Sequence, residues 1–238
     1  MMTHLGLRKT TLVDVPGRVA ATVFTHGCPL RCPYCHNAAL QGGTLPEDFL
    51  PREEVLAYLR KRSAVLEAVC VTGGEPLIHT DLPEFLAELR ASRFFIKLDT
   101  SGVLPRKLEQ VIAADLVDMV ALDLKTAWGD YASLTGGNGA DVRRSLEILR
   151  RARAETGLRY ELRTTLAPGV ATPAALSALS ADIQPSEDWV LAQFRPPSLS
   201  ENPLPQPEPY AEARIREFHA ELTQRHPALR LRGVSAGA

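Results

Sequence analysis

Val19-Ala20-Ala21-Thr22-Val23-Phe24-Thr25-His26-Gly27-Cys28-Pro29-Leu30-Arg31-Cys32-Pro33-Tyr34-Cys35-His36-Asn37 leads from an apolar run straight into a loop with three thiols in eight residues. Residues 19–25 have the length and β-branched content of a buried strand. Cysteines spaced by three and then two residues, on a short loop leaving that strand, bring their sulfurs into one small volume. Thiolates are soft ligands that suit zinc, Cu(I) or an iron–sulfur cluster. A structural zinc site closes with four ligands, commonly as two separated pairs, whereas this loop supplies a triplet with His36, His26 and Cys70 as the nearest further donors. A cubane cluster held by three cysteines keeps one iron open to chemistry. A disulfide staple is not expected in a chain long enough to bury its own core and without a secretory signal.

Upstream of the strand, Lys9 to Pro16 reads as a short lead that turns at Pro16-Gly17. Downstream, apolar runs alternate with amphipathic stretches. Pro51 to Arg62 is predicted as a helix with Pro in its first turn and with Val55, Leu56 and Leu59 on its apolar face. Glu67–Thr72, Phe94–Asp99, Val117–Asp123, Leu158–Leu166 and Trp189–Phe194 read as strands. Helices are expected over Asp81–Leu89 with Asp81 as cap, Pro105–Ala113, Asp141–Ala154 and Pro173–Leu179. Trp128–Asn138 is expected as a long loop, Arg195–Pro209 as a proline-rich connection and Ala211–Gln224 as a last helix. On Asp141–Ala154, Val142, Leu146 and Leu149 form an apolar face and the arginines a mostly solvated one. Strand and helix alternating about six times imply an α/β fold with a parallel sheet and right-handed crossovers, closed or nearly closed into a barrel. Alternation alone also fits a doubly wound open sheet.

In α/β barrels the chemistry gathers at the carboxyl ends of the strands. The marked segments all fall there: the cysteines after the first strand, Gly73-Gly74-Glu75-Pro76 after the second, Asp99-Thr100 after the third and Asp123-Leu124-Lys125 after the fourth. Two glycines in a row let backbone approach a ligand with no Cβ in the way. Cys70, in mid-strand, reads as a packed core thiol.

The C-x3-C-x2-C triplet, with Tyr34 before its last cysteine, resembles the cluster loop of radical S-adenosylmethionine (SAM) enzymes. Val13-Asp14-Val15-Pro16-Gly17 upstream, Phe24-Thr25-His26-Gly27 leading in and Tyr34-Cys35-His36-Asn37 closing the loop resemble glycyl-radical-enzyme activating proteins, most closely those of anaerobic ribonucleoside-triphosphate reductase. The resemblance runs from about Gly6 onward and implies a single radical SAM domain over 1–238. Its partial (β/α)6, TIM-like barrel would span about 17–195, with a C-terminal loop and helix over 196–238. It implies that Cys28, Cys32 and Cys35 hold a [4Fe–4S] cluster whose open iron chelates SAM. Gly73, Gly74 and Glu75 would hold the methionine amino group, and Tyr34 and His36 would lie over the cluster with Tyr34 near the adenine. Asp99, Thr100, Asp123 and Lys125 would line the cofactor pocket, the carboxylates holding a cation or ribose hydroxyls, with a salt-bridged rim as the plain alternative.

The reaction implied is reductive cleavage of SAM to methionine and a 5′-deoxyadenosyl radical, which takes hydrogen from a glycine Cα of a partner enzyme. A low-potential donor such as flavodoxin or ferredoxin would supply the electron, and no catalytic acid or base is needed. Two departures stand out. Gln193-Phe194-Arg195-Pro196 replaces the segment where the pyruvate formate-lyase activating enzyme has a histidine, and Ser101 stands where Asn is common. Activation of another glycyl radical enzyme, a small-molecule radical SAM reaction, an iron–sulfur electron carrier and a zinc-binding module are the other readings of the same motif.

Composition narrows these. The 238 residues are 45% hydrophobic, enough for a full core. With 27 basic and 28 acidic residues the formal charge is −1, so no global field favours nucleic acid or a membrane surface. No apolar run reaches the ~18 residues of a membrane span, and four cysteines, three in one loop, suit a reducing, cytoplasmic setting.

Overall fold

The computed structural model describes residues 1–198, 202 and 204–234. In chain order the elements are β1 (His4–Thr11), β2 (Ala20–Thr25), β3 (Leu50–Pro51), α1 (Arg52–Arg62), β4 (Ala68–Gly73), α2 (Leu82–Ala91), β5 (Phe95–Thr100) and α3 (Pro105–Ala113). There follow β6 (Met119–Asp123), α4 (Tyr131–Thr135), α5 (Gly139–Thr156), β7 (Arg159–Leu166), α6 (Pro173–Asp182), β8 (Trp189–Gln193), α7 (Glu212–Thr223) and β9 (Arg230–Arg232). They form one sheet in the order β3-β1-β2-β4-β5-β6-β7-β8-β9. From β2 to β9 every pairing is parallel, and β1 runs antiparallel to β2 and β3. The expected parallel β/α units are therefore present, as a partial barrel whose sheet carries extra strands at both edges.

Those edges correct the sequence reading. The lead over Lys9–Pro16 is in part strand, because β1 pairs along β2 from Gly6 to Thr11. β9, three residues long, was not expected at all; its pairing with β8 is a long-range contact that three residues cannot announce. Pro51 belongs to β3, just ahead of the helix it was expected to open. Asp81 makes no side-chain cap. Its carboxylate instead accepts from the Met2 backbone N–H at 2.9 Å and pairs with Arg52 at 3.2 Å. The loop over Trp128–Asn138 holds a 3-10 turn at Trp128–Asp130 and then α4. The helix after it is longer than expected because Asn138 caps it, accepting from Ala140 N–H, and Gly157 ends it in the left-handed region. Its arginines are not all solvated: Arg150 grips the buried Glu187 with two nitrogens, at 2.9 and 2.7 Å. The proline-rich connection falls partly outside the described residues, at 199–201 and 203.

Strand register divides the sheet into two chemically different faces. Val69, Val71, Ile96, Leu98, Val120, Leu122, Leu162 and Leu191 join the helix side chains in one apolar core. On the other face Thr22 is opposite Cys70, Cys70 opposite Lys97, and Asp123 opposite Arg163. This polar face lines a cavity, and every functional segment reaches the cavity from it or from the loop at its strand end. Among the described residues no helix is long and apolar enough to cross a membrane.

Candidate active site

The cavity, about 490 Å3, is lined by all three loop cysteines together with Tyr34, His36, Gly73, Gly74, Asp99, Thr100, Asp123 and Lys125, so it gathers nearly every residue singled out from the sequence. Glu75 is the exception. It is fully buried and does not line the cavity.

The cysteine loop is held by its neighbours more than by itself. Gly27 and Cys28 donate backbone N–H to Leu40 and Gln41 carbonyls at 2.8 and 3.3 Å, and Arg31 N–H donates to Thr135 O at 2.8 Å. The Arg31 guanidinium folds back onto the Cys28 and Leu30 carbonyls. Leu30, Cys32, Tyr34, Ala167, Val170 and Phe194 pack together around the thiols, with the rings of Tyr34 and Phe194 meeting edge to face at 6.3 Å. This burial pushes the Cys28 thiol up to about 11 and the Cys32 thiol upward as well. Thiols so desolvated stay neutral until a metal takes the proton's place.

No three His, Cys, Asp or Glu side chains among the described residues converge on one point as a mononuclear site requires. Cys28, Cys32 and Cys35 nonetheless line one cavity, and together they would supply the thiolates for an iron–sulfur cluster. All four cysteines are free thiols, and the expectation for Cys70 holds: it is 1% exposed, packed beside Val15, Ala20 and Ala68 on the cavity's inner wall.

Gly73 and Gly74 end β4 where backbone crosses backbone. Gly73 has φ +119°, and a Cβ on Gly74 would lie 2.0 Å from the Gly27 carbonyl oxygen. Gly74 N–H donates to Thr25 O at 2.9 Å and Glu75 N–H to Gly27 O at 2.8 Å, which ties this turn to the start of the cysteine loop. The Glu75 carboxylate braces the next strand end. It accepts from Thr100 Oγ1 (2.9 Å), Leu77 N–H (3.2 Å), Ser101 N–H (2.7 Å) and Ser101 Oγ (2.5 Å). Ser101 thus contributes two donors to one carboxylate oxygen, a role its hydroxyl fits well.

The opposite wall is a buried charge network. Arg163 donates to Asp99 at 2.6 Å and to Asp123 at 2.9 Å, Lys97 lies 2.8 Å from Asp99, and Lys125 lies 3.4 Å from Asp123. Burial opposes charge throughout, yet Arg163 and Lys97 hold the Asp99 carboxyl below the usual carboxylate range. Arg163 and Lys125 hold Asp123 at about 2. Arg163 and Lys125 are themselves held more strongly protonated than usual: burial opposes this, but it is outweighed by Asp123 and Asp99 at Arg163 and by Tyr34 and Asp123 at Lys125. The guanidinium takes the place between the two carboxylates that a bound cation would need. Both carboxylates are therefore salt-bridged and also face the cavity.

Arg163 was missed from sequence, although Glu161 and Arg163 at alternate positions in a buried strand signal a charged inner face. Tyr131 was missed too: it is fully buried, and its hydroxyl accepts from Lys125 N–H at 2.9 Å, which fixes the Asp123-Leu124-Lys125 turn. Arg195 is exposed at the cavity's edge, beside Gln193 and Phe194.

Residues 22–170 match the Radical SAM superfamily. The chain belongs to that superfamily. Its members work through a [4Fe–4S] cluster and S-adenosylmethionine, and the donor set fits both, with three soft thiols and ion-paired carboxylates lining one cavity. This radical SAM chain is 25% identical over 199 residues to a protein of Methanocaldococcus jannaschii named provisionally as a glycyl-radical enzyme activating enzyme, covering 80% of this chain and 79% of that one. It is 36% identical over 112 residues to the PqqA peptide cyclase of Xanthomonas campestris, which is 45% of this chain and 30% of the cyclase. Among solved structures, SuiB of Streptococcus suis bound to its precursor peptide SuiA superposes with a TM-score of 0.65 at 16% identity, over 87% of this chain and 47% of SuiB. At that identity the likeness shows the fold alone.

Proposed function

We propose that this radical SAM enzyme activates a glycyl radical enzyme, with anaerobic ribonucleoside-triphosphate reductase as the partner. One electron from a low-potential donor and one SAM would be consumed, and methionine, 5′-deoxyadenosine and a radical on a glycine Cα of the partner produced. The observation that carries this reading is the similarity to the Methanocaldococcus protein across four-fifths of this chain, in company with the Tyr34-Cys35-His36-Asn37 loop.

Cys28, Cys32 and Cys35 would hold the cluster, which when bound supplies the reductive cleavage of SAM. The apolar residues Leu30, Tyr34, Val170 and Phe194 pack against those thiols. Gly73 and Gly74 present bare backbone at the cavity, and Thr100, Asp123 and Lys125 offer a hydroxyl, an acceptor and a cation for the polar parts of SAM. Glu75 serves from beneath by locking the Thr100-Ser101 turn. A polypeptide substrate of another kind is the second reading, favoured by the 36% identity to PqqA peptide cyclase.

The test is low-temperature electron paramagnetic resonance of the anaerobically reconstituted, reduced chain, with and without SAM, followed by addition of the reductase. A cubane signal that shifts with SAM, and then a glycine-centred doublet on the reductase, is the expected result. Cys32→Ala should abolish both the signal and 5′-deoxyadenosine formation. A SAM-responsive cluster that leaves the reductase without a radical removes the activase reading, and an unchanged 5′-deoxyadenosine yield in Cys32→Ala removes the cluster assignment.

A further inference from the structure

Asn202 belongs to the C-terminal segment, yet its side chain is spent on the cysteine loop. It is 1% exposed, and its Nδ2 donates to Pro33 O at 2.9 Å and to Cys35 O at 3.1 Å, across 169 and 167 residues of sequence. Its Oδ1 accepts from Leu204 N–H at 3.0 Å, so two carbonyls and one N–H fix which end of the amide points where. Gln206 adds a weaker hold on the same loop, with Nε2 donating to Pro33 O at 3.1 Å. A buried amide placed this way, with both ends satisfied, serves the loop it grips.

The direction of those carbonyls has a consequence for the cavity. A trans peptide points its C=O and its N–H in opposite directions, and among the described residues there is no cis peptide bond. With the Pro33 and Cys35 carbonyls turned toward Asn202, the N–H groups of Tyr34 and His36 are turned away from it. Tyr34, Cys35 and His36 line the cavity and Asn202 does not, so these N–H groups lie on the cavity side. Neither donates to a protein acceptor among the described residues. Two N–H groups turned this way, on the residues flanking Cys35, favour negative charge on their side, and donors directed at cluster sulfur raise the reduction potential of an iron–sulfur centre.

We infer that Asn202 is a positioning residue that holds the Pro33–Tyr34 and Cys35–His36 peptide planes with their N–H groups toward the cluster site, and so sets the potential at which the cluster accepts its electron. The inference rests on the proposed cluster. It gives the C-terminal segment, which contributes no cysteine, a part in the redox chemistry.

The test is a redox titration of the reconstituted full chain, reading the cubane signal, in wild type, Asn202→Ala and Gln206→Ala. At an ambient potential that half-reduces the wild type, Asn202→Ala is expected to lower the ratio of reduced to oxidised cluster about tenfold, the equivalent of about 59 mV for a one-electron couple. Gln206→Ala, which releases only Pro33 O from one of its two donors, should move it the same way by a smaller factor. An Asn202→Ala cluster with the wild-type midpoint overturns the inference. Should that variant take up no cluster, Gln206→Ala decides: a lowered ratio supports the inference and an unchanged one overturns it. Failure of the cluster reading is distinct from either, since it appears as no cubane in the wild type.

Discussion

Replacing Arg163 with methionine removes the cation that touches both cavity carboxylates, at 2.6 Å from Asp99 and 2.9 Å from Asp123. Breaking a buried ion pair from one side costs about 3–5 kcal/mol, because the acid left behind stays desolvated without its partner. The loss here belongs at the low end, about 3 kcal/mol at pH 7.5, since Lys97 remains 2.8 Å from Asp99 and Lys125 3.4 Å from Asp123. Its pH dependence has a definite sign. With Arg163 present both carboxyls titrate below their ordinary range; without it both rise, and protonation then relieves the unpaired charge. The gap between wild type and Arg163→Met should therefore narrow as pH falls from 7.5 toward 4. Urea unfolding of the apo chain at pH 7.5 and pH 5, compared at equal m-value, measures it. Adding Asp123→Asn to Arg163→Met should recover at least ~1 kcal/mol by removing one of the stranded charges. A loss under ~1 kcal/mol at pH 7.5, or the same loss at both pH values, would refute the view of Arg163 as the keystone of this wall.

Gly74→Ala drives a Cβ to 2.0 Å from Gly27 O, so the Gly74–Thr25 and Glu75–Gly27 hydrogen bonds must open. A loss of about 2–4 kcal/mol and a fall in Tm of roughly 5–12 °C are expected by calorimetry, while Gly129→Ala, which meets nothing within 4 Å, should stay unchanged. Acid should act through Asp123. Burial raises its carboxyl, but Arg163 and Lys125 win and hold it at about 2, below the 3.8 of the unfolded chain, so its contribution is present above pH 4 and is lost as pH falls from 4 to 2. Because 33% of the side chain is exposed, that contribution is about 1–2 kcal/mol, seen as a shallower acid limb for Asp123→Asn in a plot of urea midpoint against pH.

What the sequence disclosed and what it withheld follow from how far apart the partners lie. The cysteine triplet, Gly73-Gly74 and Asp123-Leu124-Lys125 are each a few residues long and sit directly after apolar runs, so strand assignment alone carried them to one end of the sheet. Arg163 meets Asp123 only because β6 and β7 pair in the register that puts them side by side. That pairing joins residues 40 apart in sequence, which neither strand's own residues name. β9 is an edge addition whose partner β8 lies before the proline-rich connection and α7, and Asn202 reaches the cysteine loop across most of the sequence. Asp99 was expected at the pocket and is there, and Lys97, two residues before it on the same strand, and Arg163 give it the salt-bridged surroundings weighed as the plain alternative.

The cysteine loop and the charged wall of the cavity are consequently stabilised by different physics, and that difference makes the enzyme's two binding events separable. The cysteine loop is fixed by backbone hydrogen bonds to Leu40, Gln41 and Thr135, by the Asn202 amide and by apolar packing, none of which depends on pH near neutrality. The charged wall is fixed by ion pairs among Asp99, Asp123, Arg163, Lys97 and Lys125, and those respond to protons. Acid should thus strip the cavity of its ability to hold a charged ligand before it disturbs the loop that carries the thiols. A substitution in the charged wall should leave iron uptake intact while weakening SAM, whereas one at Gly74 or Asn202 should reach the cluster first.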